Sequence, residues 1–220
     1  MLLFFADPLG EFEELFAFIE ASGLINIEGI FLLGDICAPL PLEDLLGAEI
    51  AEKVWFIPGD RDSERQGWMQ NLLSMWDRNL HAKIIEAGGY RVAGLGGGFR
   101  EEVWHPKKGT RWDTRYQMAQ HTPPRSKFRN WLPLRHWTSI FLEDYEGLLN
   151  PARADILIAH EAPSCHTRGF AEVDELAAML NAHWILHGHQ DTSYVDQVFL
   201  DNDSAIQTVG LARRNIHIIV

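Results

Sequence analysis

The 220-residue sequence predicts an α/β fold, a two-sheet β-sandwich flanked by helices (αββα), on two observations. The chain opens with a β-α-β-α-β pattern, the signature of a mainly parallel start. It closes on short strands separated by polar turns, so strands at both ends enclose the helices between them. Composition agrees with one globular domain over residues 1–220, with 46% hydrophobic and 23% charged residues.

In chain order, the first strand is expected at Leu2–Phe5. A helix follows in which Phe12, Leu15, Phe16 and Ile19 share a face at i, i+3, i+4 and i+7, with Gly23 as its stop. Glu11, Glu13 and Glu14 suit the positive N-terminal end of that helix. Ile27–Leu33 reads as the second strand, a helix is expected around 42–52, and Val54–Ile57 is the third strand. After a helix at Gln66–Trp76, the spans 83–86 and 90–95 read as strands joined at Gly88-Gly89. Ile156–Ala159 and the run up to His187 are further strands. The last three are expected at 193–200, 205–209 and 216–220, with a turn at Asp201-Asn202-Asp203.

Charge and cysteine content exclude several classes. A net charge of −12 argues against a generally basic, nucleic-acid-coating protein. Cys37 and Cys165 are far apart and form no C-x-x-C pair, which disfavours a disulfide framework or thiolate zinc site. No run approaches the roughly 20 apolar residues of a membrane span, so no membrane partner and a cytoplasmic location are expected. Residues 103–142 stand apart as a cap-like segment. They hold eight of the 19 Lys and Arg residues, one acid (Asp113) and four of the eight tryptophans. Basic residues interleaved with aromatics suit phosphates and stacked bases. The alternative is that Trp131 and Trp137 pack helices onto the sandwich while the charges stay solvated.

Five apolar runs end on residues that bind metals: Phe4-Phe5-Ala6-Asp7, Leu32-Leu33-Gly34-Asp35, Ile57-Pro58-Gly59-Asp60, Ile158-Ala159-His160, and Leu186-His187-Gly188-His189-Gln190-Asp191. Each delivers a ligand to a strand tip, where a loop leaves coordination positions open. The ordered set resembles the calcineurin-like metallophosphoesterase family, whose boxes run D-x-H, G-D, G-N-H-D/E, an isolated His and G-H-x-H. The counterparts are Asp7-Pro8-Leu9, Gly34-Asp35, Gly59-Asp60-Arg61-Asp62, His160 and Gly188-His189-Gln190-Asp191.

The resemblance implies two metal positions. Asp35, Asp60, His160 and His189 would form one. Asp7, Asp35 and Asp191 would form the other, with Leu9 unable to coordinate and a carboxylate where the family has its final His. It implies one or two divalent ions per chain, Mn²⁺ first, with Mg²⁺, Fe²⁺ and Zn²⁺ as alternatives. His160 and Arg61 are the catalytic candidates. Arg61 stands where the family has a His; it binds phosphate but does not release a proton at neutral pH. An alternative has Arg61 pairing with Asp7 and Asp191 in place of a metal. His187 and Asp62 are expected to support the ligands from behind; His187 and His189 also have H-x-H spacing, which makes His187 the alternative to His189 as ligand, and His105 is a possible replacement ligand. The implied substrate is a phosphomonoester or phosphodiester of a small molecule or nucleotide. The other readings are a pseudoenzyme acting as a binding module, and a nucleic-acid phosphodiesterase using residues 103–142.

Overall fold

The computed structural model describes residues 1–149, 153–200 and 204–220. The expected turn at Asp201-Asn202-Asp203 lies outside the described residues.

Leu2–Phe5 (β1), Gly29–Leu33 (β2) and Val54–Ile57 (β3) pair in parallel, and Ile216–Ile219 (β12) adds antiparallel to β1. They form a four-stranded sheet ordered β12-β1-β2-β3. The second sheet has six strands: Lys83–Ala87 (β4), Tyr90–Leu95 (β5), Ile156–Ala159 (β8), Trp184–Gln190 (β9), Tyr194–Phe199 (β10) and Ala205–Ala212 (β11), ordered β10-β11-β9-β8-β5-β4. A small hairpin, Trp104–His105 (β6) with Gly109–Thr110 (β7), stands apart from both.

The strand residues alternate between two cores. Leu2, Phe4, Phe31 and Leu33 face Val92, Ile156, Ile158 and Leu186 of the other sheet. Their neighbours Leu3, Phe5, Ile30 and Leu32 face outward onto Leu15 and Ile19 of helix Glu13–Ser22 (α1) and onto Phe12, which precedes it. A period of two on strands buried on both faces explains why they read as unbroken apolar runs. Phe4 and Phe31 stack with ring centroids 5.0 Å apart at the centre of the inner layer.

The helix expected around 42–52 is two short helices, Leu42–Leu46 (α2) and Ala48–Ala51 (α3), because Gly47 takes φ 72° between them. The helix at Gln66–Leu72 (α4) ends earlier than expected and continues as a 3₁₀ segment kinked at Met75. The 103–142 segment packs against the outer face of the six-stranded sheet. Val103, Trp104, Met118 and Leu132 share one cluster with Ala93, Leu95, Leu157 and Ala159. That cluster also takes in helices Leu142–Leu148 (α6) and Ala171–Met179 (α7), while Arg115–His121 (α5) lies within the segment itself. Among the described residues no helix is long and apolar enough to cross a membrane.

Candidate active site

Four of the five sequence boxes converge. Asp35, Asp60, His160 and His189 each offer a ligand atom, and these atoms lie within 4.8 Å of one another. They come from the ends of β2, β3, β8 and β9, so the parallel sheet edges of both layers meet at this point.

The backbone there is forced. Asp7, Asp35 and His189 adopt φ of 44°, 47° and 62°, left-handed values that cost a non-glycine residue about 1–3 kcal/mol and concentrate at functional sites. Two glycines are required by closeness rather than by turn shape. A Cβ on Gly59 would sit 2.1 Å from the Asp35 amide nitrogen, and one on Gly188 would sit 2.7 Å from Asp7 Oδ1.

His160 is fully buried, and its Nδ1 lies 3.0 Å from the Leu33 carbonyl. A carbonyl only accepts, so Nδ1 carries a proton and Nε2 faces the site, a donor in the imidazolium and a ligand atom in the neutral ring. That Nε2 is 2.8 Å from His189 Nδ1 and 3.5 Å from both Asp35 Oδ1 and Asp60 Oδ1. His189 Nδ1 is likewise 3.5 Å from Asp60 Oδ1. Two imidazole nitrogens aimed at each other are reconciled by a proton on one of them, giving an N–H···N hydrogen bond, or by a metal cation that both ligate. Burial pushes the His160 imidazolium down, but Asp35, Asp60 and Asp7 outweigh it and hold it well above the ordinary value. His189 goes the other way, lowered by burial and by His160.

A divalent cation fits this set. Asp60 Oδ1 is buried with no hydrogen-bond partner, the state of a ligand atom lacking its ion. Separations near 3–3.5 Å also match the edges of a polyhedron with metal–ligand bonds of about 2.0–2.2 Å.

The other expected position is not assembled in the same way. Asp7 is buried and lies outside the four-residue group. Its Oδ2 accepts the His189 backbone N–H at 2.7 Å, while Oδ1 is 3.7 Å from His160 Nδ1 and unpartnered. Burial raises the Asp7 carboxyl to about 7. Asp191 is on the rim, largely exposed, and pairs with Arg213 at 3.2 Å. Leu9 sends no ligand atom, and its N–H donates to the Asp35 carbonyl at 2.9 Å.

Arg61 donates its backbone N–H to Asp35 Oδ1 at 3.0 Å, and its side chain is exposed at the mouth of the recess. Among the described residues it forms no ion pair with Asp7 or Asp191, so the arrangement in which it stands in for a metal is not the one adopted. The recess also receives Arg168 and Arg213, neither of which has motif spacing in the sequence.

The two supporting candidates behave differently. Asp62 is fully buried and accepts N–H bonds from Cys37 and Gly59, both at 2.7 Å. It therefore ties together the loops that carry Asp35 and Asp60, and burial beside Asp35 raises its carboxyl to about 7. His187 turns away from the cluster. Its Nδ1 donates to the Gly188 carbonyl at 2.9 Å, and its Nε2 accepts from the Tyr194 hydroxyl at 2.7 Å. Regular H-x-H alternation would place His187 and His189 on one face. The left-handed φ at His189 and a register shift between β9 and β11 at Gly210/Ala212 separate them. His105 lies in a neighbouring cleft and outside the cluster.

Residues 1–192 match the calcineurin-like phosphoesterase family. The chain belongs to that family. Membership identifies this phosphoesterase as a metal-dependent hydrolase acting on phosphate esters. It is similar to an uncharacterized protein of Haemophilus influenzae, 35% identical over 198 residues, covering 88% of this chain and 84% of the relative. Its fold is similar to the crystal structure of TT1561 of Thermus thermophilus. That match has a TM-score of 0.54 and 17% identity, and covers 96% of this chain and 88% of the other.

Proposed function

We propose that this phosphoesterase hydrolyses a small-molecule phosphate ester around one divalent cation held by Asp35, Asp60, His160 and His189. The observation that carries the reading is the convergence of these four side chains within 4.8 Å, with the His160 tautomer fixed by Leu33. When bound, the cation would supply Lewis-acid polarisation of the ester and activation of the attacking water.

The chain's own residues divide the remaining work. Asp62 fixes the separation of the Asp35 and Asp60 loops through two backbone N–H bonds. Asp7 holds the backbone of His189, so it orients a ligand from below. Arg61, Arg168 and Arg213 surround the recess and supply attraction for the phosphate oxygens, which two carboxylates on one cation do not. A mixed imidazole and carboxylate set suits Mn²⁺, Fe²⁺ or Zn²⁺, and Mn²⁺ is our first assignment. Residues 103–142 serve as a cap that bounds the substrate cleft rather than as a separate domain.

Elemental analysis of protein equilibrated with Mn²⁺ and desalted should give one equivalent per chain. The same sample should hydrolyse p-nitrophenyl phosphate, and Asp35→Ala should not. Two tightly held equivalents would overturn the one-cation assignment. Turnover no higher than that of Asp35→Ala under every divalent ion would overturn hydrolysis itself.

A further inference from the structure

Beyond the recess, a second cleft of about 680 Å³ opens on the other side of Asp60. Its volume is that of a small-molecule site. Three guanidinium groups line it, those of Arg100, Arg111 and Arg135, together with His105 and Glu161. We infer that this cleft is the binding site for a second phosphate of the substrate, so that the preferred esters are small bisphosphorylated molecules. The inference rests on the hydrolytic reading given above.

The cation cluster's own loop holds the Arg100 guanidinium and the Arg135 backbone in place. Arg100 Nη2 donates to the Asp60 carbonyl at 2.9 Å, while its Nε is buried without a partner. Arg135 belongs to a 3₁₀ segment, Leu134–Thr138, that is pinned to the same loop. Ser63 Oγ donates to the Arg135 carbonyl at 3.0 Å and lies 2.6 Å from Thr138 Oγ1. A substrate that places one phosphate over Asp60 would bring its other end toward Arg100 and Arg135, so a second charge would be selected by position.

The lining sets these three guanidinium groups among the carboxylates of Asp60, Glu101, Glu102 and Glu161. Burial, Arg100 and Arg135 push His136 down to about 4. The acids at the cleft are already engaged. Glu102 pairs with Arg135 at 3.4 Å, Glu101 with Lys108 at 2.5 Å, and Glu161 Oε1 accepts the Phe99 N–H at 3.2 Å.

A small molecule fits better than a nucleic acid strand. Strand binding uses exposed aromatic platforms, but Trp104 is packed against Phe99 and Tyr145, Trp137 against Trp76 and Phe128, and the exposed Tyr116 and Trp131 lie outside the cleft lining. Arg115, a cation on the buried side of the segment, is consumed by Asp144 and Glu143.

The test compares propane-1,3-diol monophosphate with propane-1,3-diol bisphosphate on the Mn²⁺-loaded protein, following phosphate release. The expected kcat/KM ratio favours the bisphosphate by about tenfold or more, beyond the factor of two from its two scissile groups. Arg111→Ala and Arg135→Ala should each bring that ratio down severalfold. A ratio no greater than two, or one unchanged in both variants, overturns the inference. Calorimetric titration of the bisphosphate into chelator-treated protein decides the matter even if neither ester is hydrolysed. Binding weakened about tenfold by Arg135→Ala supports the site, whereas equal binding in both proteins, or preferential salt-sensitive binding of a single-stranded oligonucleotide, overturns it.

Discussion

Replacing His189, Asp60, Asp7 and Asp191 one at a time by Ala tests the cation site by a route that needs no turnover. The reporter is the rise in melting temperature on adding Mn²⁺. A cation that binds only the folded state stabilises by RT ln(1 + [M]/Kd), about 2.7 kcal/mol at 100 times Kd. For a chain of this size that is a rise of roughly 5–11 °C. His189 and Asp60 each place an atom 3.5 Å or less from the neighbouring ligands. Loss of such an atom should weaken binding by at least about 100-fold, the upper end of what even outer supporting groups achieve. At the same Mn²⁺ concentration only about 0.4 kcal/mol then remains, a rise of roughly 1–2 °C. Asp7 acts through the His189 backbone. A tenfold loss in Asp7→Ala leaves about 1.4 kcal/mol, an intermediate shift. Asp191→Ala should keep the full rise, because its carboxylate is mostly exposed and bound to Arg213. The reasoning is refuted if Asp191→Ala abolishes the Mn²⁺-dependent rise, or if His189→Ala retains it.

Two further predictions concern the surrounding structure. Asp144 is buried and accepts from Arg115, from His81 at 3.2 Å and from the Phe141 N–H at 2.7 Å. Despite the opposing effect of burial, His81 and Arg115 hold its carboxyl well below the usual range. Asp144→Asn should therefore cost about 2 kcal/mol at pH 7, or roughly 4–8 °C, by leaving Arg115 with only the more exposed Glu143 as counter-charge. Since the folded value is depressed, that difference should be constant above the unfolded value near pH 4 and shrink as pH falls below it; a gap unchanged at pH 3 in thermal denaturation would exclude this origin. Gly188→Ala should weaken Mn²⁺ binding in the same thermal assay, because its Cβ would meet Asp7 Oδ1 at 2.7 Å and the Leu33 carbonyl at 3.0 Å. An undiminished Mn²⁺ shift in that variant would mean the β9 tip relaxes without moving His189.

The strand tips were legible because their signal is local: an apolar run of period two, then a Gly or a ligand. Asp35, Asp60, His160 and His189 all follow that pattern, and all four meet. Asp191 follows it only if β9 continues regularly past His189, and the left-handed φ of that residue diverts what comes after. The same irregularity sends His187 to Tyr194. Arg168, Arg213 and Arg100 were not legible, since each reaches the site from a loop whose position depends on how two sheets stack. Residues 103–142 read correctly as basic and aromatic. Trp137 packs, as one of the two readings expected, whereas composition alone did not reveal that Trp104 packs too or that Arg115 is tied to Asp144.

The arginines also resolve a problem of charge. With Asp7, Asp35, Asp60 and Asp191 all bound to metal, four carboxylates would cancel two divalent ions and leave nothing to attract a phosphate. The geometry distributes these charges differently. Asp191 is neutralised by Arg213, and Asp7 is buried with its carboxyl raised to about 7. Asp35 and Asp60 alone would then balance a single divalent cation, and Arg61 and Arg168, set against Glu64 on the same wall, would leave the recess with a small excess of positive charge. A neutral side chain at Leu9 is compatible with that balance, whereas a second cation would have to bind beside these guanidinium groups. On the one-cation reading proposed above, Leu9 and Asp191 in place of the family's histidines and the arginines at the recess would be two sides of one electrostatic arrangement, with fixed protein charges taking over part of the role otherwise assigned to a second metal.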